Sequence, residues 1–198
     1  MTAATTAMGH PAWRETREET RDRILDAALD LMAANGFAGT STRQIAERLG
    51  FTKAALYYHF RTKDDLLAAL VARGVSELAA MVEGQLPRPA TAPRRALLAA
   101  YADLVAAHQN LIRVLSADPS AERRAPTAAA APLYGRLTEL LAGQESPGAG
   151  PRARVRAALG GLHAALLHAP PGDDPADVRA AAIAAACGAL GIPAPRAA

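Results

Sequence analysis

Thr42 and Arg43 open one short helical pattern, and in the pattern that follows it Lys53, Ala54, Tyr57 and Tyr58 fall on a single face. Those residue types at that spacing suit a polyanion. A helix N-terminus and a threonine hydroxyl hold a phosphate, while a guanidinium reaches a guanine edge. Between Thr40 and Lys63 the basic residues Arg43, Arg48, Lys53, Arg61 and Lys63 stand against one acid, Glu47, and Asp22, Asp26 and Asp30 in the preceding segment offset them. The positive potential is therefore local, because the whole chain carries a net charge of only +3. Other chemistries find little support. The histidines at 10, 59, 108, 163 and 168 form no i, i+4 pair, and no H-E-x-x-H, G-x-S-x-G or phosphate-loop pattern occurs, so neither catalysis, a metal site nor a cofactor is expected.

The elements that must position these side chains can be read from caps and apolar stripes. Ser41 caps the first pattern with Gln44 reaching back, Ile45, Ala46 and Leu49 point inward, and Gly50 stops it. Thr52 caps the second, which buries Leu56 and Phe60 at i, i+4 and leaves the lysine and tyrosines outside. Upstream, Ile24, Ala27, Ala28, Leu31 and Met32 form the stripe of a bracing helix that ends at Asn35-Gly36. Downstream, Thr62 and Asp65 start a fourth helix whose stripe of Leu66, Leu70, Val75, Leu78, Met81 and Val82 runs to about Leu86. Two helices joined by a tight turn, with an outward polar face on the second, describe a DNA-reading helix-turn-helix.

Here the order of side chains resembles the N-terminal domain of the tetracycline-repressor (TetR) family of bacterial transcription regulators. The resemblance rests on T-x-x-x-I-A, then L-G-F, then a helix ending L-Y-Y-H-F, and then Lys63 ahead of DDLLAALV; it runs from about Thr20 to Leu70. By position it places Thr42, Arg43, Thr52, Lys53, Tyr57, Tyr58, His59 and Lys63 where the family contacts DNA. Ala54 and Ala55 also fall at base-facing positions and offer methyl contacts, chiefly to thymine, so direct readout rests on Arg43 and Lys53. Lys63 reads as a phosphate partner; since it lies on no apolar stripe, its loss is not expected to affect folding.

The rest of the chain matches the family only in length and in being helical. Hydrophobic residues make up 51% of the chain and aromatics only 4%, and alanine and leucine supply most of the apolar share, which favours an all-α fold packed through small side chains. Twenty arginines against two lysines reflect composition more than DNA binding. The expected division is an arm over residues 1–13, a helix-turn-helix domain over 14–62 and a helical effector-binding and dimerisation domain over 63–198. Prolines break the chain at 87–93, and helices are expected near 94–108, 110–116, 127–142, 152–168 and 175–190, the last opened by Asp174-Pro175. DPSAERRAP at 118–126, GQESPGAGP at 143–151 and APPGDD at 169–174 read as separators.

The resemblance implies an apolar, helix-lined effector pocket in this second part, for which the apolar faces supply Met81, Leu98, Tyr101, Leu104, His108, Leu115, Tyr134, Leu137, Leu162, His163 and Leu166. His108 and His163 interrupt apolar runs, so each needs a polar partner, either a ligand or a group of the protein. With Tyr101 and Tyr134 the only aromatics after residue 60, an aliphatic or small polar-headed effector fits better than a large planar cation. Small residues on the last two helices (Ala157, Ala158, Gly160 and Gly161; Ala181, Ala185 and Ala186) stand beside Leu159, Leu162, Val178, Ile183 and Leu190. That pattern permits close packing either within a monomer's own core or, as the resemblance implies, in the intersubunit four-helix bundle of a homodimer.

Cys187, the single cysteine, excludes an intrachain disulfide and reads as a buried thiol. No apolar run approaches the ~18 residues that span a bilayer, and no signal peptide is evident, so a cytoplasmic location without membrane contact is expected. The resulting expectation is a homodimeric repressor that leaves a palindromic operator of double-stranded DNA when a small effector binds. An activator, or a regulator without effector, keeps the same reading residues. A ligand-binding helical protein with a vestigial helix-turn-helix predicts convergent polar groups in a pocket and no sequence-specific DNA binding. A nonspecific DNA binder needs a larger positive charge than +3.

Overall fold

The computed structural model describes residues 16–84, 92–143 and 148–193; the arm expected over 1–13 and most of the proline-rich break lie outside these. Among the described residues every regular element is helical. Helix α1 (Arg17–Gly39) begins with a reciprocal cap, in which Glu19 N donates to Thr16 Oγ1 and Thr16 N to Glu19 Oε2. Its helical dihedrals break at Gly36 (φ 75, ψ 163), a conformation that residues with a Cβ rarely adopt, and one further turn reaches Gly39. Helix α2 (Thr42–Leu49) has the expected Ser41 and Gln44 capping box and ends at Gly50 in the left-handed region (φ 68). Helix α3 (Lys53–His59) starts at Thr52, whose hydroxyl accepts from Ala55 N at 3.1 Å. Helix α4 (Lys63–Glu83) is capped by Thr62 and Asp65 and gives way to Gly84, slightly short of the Leu86 expected from its stripe.

The second half contains α5 (Ala92–Ala107), α6 (Gln109–Ala117), α7 (Pro119–Arg124), a 3₁₀ turn (Thr127–Ala130) running into α8 (Ala131–Ala142), α9 (Ala149–Leu167) and α10 (Pro175–Ala189). Helix α7 corrects the reading of 118–126 as a plain separator. Asp118 accepts from Ser120 N at 2.8 Å and Pro119 takes the first helical position, which is the same start that Asp174 and Pro175 give α10.

Two hydrophobic cores result. The first gathers Ile24, Met32, Ile45, Leu56, Phe60, Leu66 and Leu70 from α1–α4, and it also takes in Leu111 and Val114 from α6 and Ala121 from α7. The second joins α4, α5, α8, α9 and α10 through Leu78, Leu98, Tyr101, Leu137, Val155, Leu162, Ile183 and Cys187. Helix α4 belongs to both, so the reading unit and the remainder share one continuous rod.

Candidate functional site

Burial of Leu56 and Phe60 fixes which way α3 faces. With those two side chains in the core, Lys53, Ala54, Ala55, Tyr57 and Tyr58 are left exposed on the outer surface, Tyr58 at 69%. Lys53 Nζ lies 5.3 Å from the centre of the Tyr57 ring, and Arg17 of α1 covers Tyr58 at the same distance, so each tyrosine ring carries a cation. His59 is half-buried and sits edge-on to Tyr58. Burial first, then Arg17 and Arg21, holds its imidazole below the usual histidine range, leaving a neutral ring with one N–H to donate. Thr42 lies at the N-terminus of α2, and Arg43 beside it is 82% exposed in its side chain while Nε donates to Glu47 Oε1 at 2.7 Å. An exposed pair of this kind contributes little to stability; its effect is to aim the guanidinium.

Lys63 is placed differently from expectation. Its ammonium donates to the carbonyls of Phe37 and, at 2.8 Å, of Thr40, and it lies 4.3 Å from the Phe37 ring centre. It thereby adds a second donor to the Phe37 carbonyl, which also accepts from Thr40 N, and supplies one to the carbonyl of the cap residue Thr40. Burial is the first cause that lowers its pKa. These bonds argue against the expectation that Lys63 is irrelevant to folding: Lys63→Met, which keeps the stem and removes the donors, is expected to destabilise the protein by ~1 to 3 kcal/mol in thermal or denaturant melts. An unchanged melting curve would show the carbonyl contacts to be energetically empty.

Two groups that the sequence reading missed tie α7 to the reading unit. Asp118 Oδ2 accepts from Ala38 N at 3.2 Å, and Arg124 Nη1 donates to Asp64 Oδ2 at 2.8 Å. The Asp118-Pro119 cap signal was present in the sequence, but the surrounding turn residues masked it.

The expected effector residues are divided among a cavity, a cleft, the second core and a groove. Tyr101, Leu104, His108, Leu115 and Tyr134 line a small cavity of about 120 Å³ against α4. His108 Nε2 is 2.8 Å from Glu77 Oε2, so its polar partner is another side chain of the protein. Tyr101 and Tyr134 also border a larger open cleft of about 720 Å³ between α8 and α9, which His163 lines as well. Leu98, Leu137 and Leu162 line neither space because neighbouring helices close over them in the second core, Met81 packs partly buried against that core, and Leu166 borders a separate groove beside the α9–α10 connection. The apolar stripes identified inward positions; whether a ligand or a helix fills the inside is a tertiary matter.

This is an all-α protein with an N-terminal helix-turn-helix whose polar face is exposed. Residues 24–70 match the profile of bacterial regulatory proteins, tetR family. The chain is 46% identical over 55 residues to the HTH-type transcriptional regulator SrpR of Pseudomonas putida, a match covering 28% of this chain and 26% of that protein. It is 48% identical over 54 residues to the tetracycline repressor protein class A from transposon 1721 of Escherichia coli, covering 27% and 25% of the two chains. These matches span about a quarter of the relatives' own length. Across the larger part of the chain the fold is similar to a bacterial regulatory protein in the tetR family from Rhodococcus RHA1, with a TM-score of 0.65 at 26% identity over 88% of this chain and 96% of that one. Residues 24–70 thus match the helix-turn-helix region of bacterial regulatory proteins of the tetR family, and the fold of the larger part of the chain is similar to that of such a protein.

Proposed function

We propose that the protein is a transcriptional repressor that binds a near-palindromic operator as a homodimer and is released by a small effector held in its second half. The observation that carries the reading is the exposed face of α2 and α3, where Thr42, Arg43, Thr52, Lys53, Tyr57, Tyr58 and His59 lie outside the first core. Phosphates would be held by the α2 N-terminus, Thr52, the tyrosines and His59, while Arg43 and Lys53 reach base edges and Ala54 and Ala55 meet methyl groups. Lys63 acts chiefly by holding the end of α1 in place beneath α2.

Dimerisation is supported by the outer surface of α9 and α10. Ala157 and Gly161 of α9 and Ala181, Ala185 and Gly188 of α10 are exposed, and a Cβ added at Gly161 or Gly188 meets nothing within 4 Å. Neither glycine is needed by the packing of its own chain; a closely approaching second copy would use both. Ala158, Leu159, Leu162, Ile183, Ala186 and Leu190, which the sequence suggested for this interface, are buried in the chain's own core, so the dimer face is narrower and composed of small residues. Release follows if effector binding moves α4, since the two reading helices must sit ~34 to 36 Å apart to enter successive major grooves.

Selection of binding sites from random DNA with the purified protein tests the reading. A palindromic consensus is expected, against which Arg43→Ala and Lys53→Ala each cost ~1 to 3 kcal/mol and relax the preference at particular bases. Recovery of sequences without a consensus, with binding governed by salt alone, would refute it.

A further inference from the structure

The cleft between α8 and α9 is lined by Arg152 and Arg156, one turn apart on α9, with no ion-pair partner among the described residues. The one carboxylate in the lining, Glu139, is already paired with Arg136 at 3.1 Å. At the other end of the same helix face lies His163, whose Nε2 is buried and meets no hydrogen-bond partner among the described residues. Burial first, and then the charge of His168, lowers its pKa, so the ring is neutral. Between these ends the wall is formed by Leu159, Tyr101, Tyr134, Ala131 and two helix glycines, Gly135 and Gly160. A Cβ at either glycine meets nothing within 4 Å, yet a glycine inside a helix costs ~1 kcal/mol relative to alanine. No packing within the chain requires them; an occupant of the cleft would.

The geometry points to a small organic anion as the occupant, with its carboxylate or phosphate on Arg152 and Arg156, an aliphatic body over Gly135 and Gly160, and a second polar group at His163. Seven residues separate Arg156 from His163, and a rise of ~1.5 Å per residue sets the two polar groups roughly 10 Å apart. A hydroxyl serves best at the far end because it satisfies Nε2 in either tautomer of the ring, as donor or as acceptor. The cleft volume of about 720 Å³ suits a molecule of that length. Tyr101 and Tyr134, packed edge to face with centres 6.4 Å apart, separate the cleft from the cavity against α4, so an occupant touching them adjoins the helix that enters the reading unit. Ligand binding stands without the proposed function; the consequence for DNA rests on it.

Calorimetric titration of the full-length protein with 10-hydroxydecanoate, decanoate and 1,10-decanediol tests the site. The hydroxy acid is expected to bind tightest. Arg152→Gln and Arg156→Gln should each weaken both acids roughly ten- to a hundredfold and leave the diol unchanged. His163→Phe should abolish the advantage of the hydroxy acid over decanoate, and Gly135→Leu, which narrows the cleft from the opposite helix, should remove binding of all three. Unchanged thermal melts and operator affinity without ligand identify folded variants. Equal affinity of the wild type for the two acids overturns the assignment at His163; absence of binding by either acid, or undiminished binding to both arginine variants, overturns the site. If the hydroxy acid binds as expected but leaves operator affinity unaltered, the effector-release reading fails while the site stands; specific operator binding with an unresponsive cleft has the opposite meaning.

Discussion

Leu56→Ala is expected to lower the stability of the reading unit by ~2 to 5 kcal/mol and to abolish operator binding through unfolding. Leu56 is fully buried where α3 meets α1 and α2, and the alanine leaves a cavity in a small core. Phe60→Ala should act in the same way, since Phe60 closes the end of α3 and also receives Arg21 on its ring at 4.4 Å from the centre. Against a total stability of ~5 to 15 kcal/mol such a loss is severe. Circular dichroism melts read beside gel shifts check it: a normal melt accompanied by lost DNA binding would mean that α3 is held by something other than these side chains.

Ala185→Asp should convert the proposed dimer into a monomer whose two cores remain folded. The side chain is exposed in the single chain, so the aspartate is tolerated there; in the proposed bundle it would be buried opposite small residues without a partner, at several kcal/mol. Loss of the second reading helix is expected to weaken a full palindrome roughly a hundredfold or more, with half-site affinity retained. Leu162→Asp is not an equivalent probe, because Leu162 lies in the chain's own core and its charge would disrupt folding. Sedimentation of Ala185→Asp settles the matter: a dimer with full operator affinity would place the interface elsewhere.

The parts of this structure that were legible in the sequence are those fixed by neighbours in the chain. Ser41 with Gln44, Thr52, and Thr62 with Asp65 are caps whose partners lie within three residues, and Gly36 and Gly50 mark backbone conformations that only local sterics decide. The exposed face of α3 followed for the same reason, once Leu56 and Phe60 were read as inward. Partners far along the chain were not legible. Nothing near Lys63 announces the carbonyls of Phe37 and Thr40, and nothing near Asp118 announces Ala38 N. In the second half, an apolar stripe looks the same whether it faces a helix or a cavity, which is why Leu98 and Tyr101, neighbours on α5, shared one expectation and met different surroundings.

The first core takes Leu111, Val114 and Ala121 from helices that follow α4 by more than twenty residues, and this bears on how the protein can be taken apart. A fragment ending after α4 would leave the faces of α1 and α4 that receive those side chains in contact with water. A hybrid that grafts this reader onto another protein's ligand-binding half would do the same unless α6 and α7 travelled with it, together with Asp118 and Arg124, which fasten them to α1 and α4. The portable DNA reader in this chain is thus discontinuous in sequence: four helices, a gap bridged by α5, and two more.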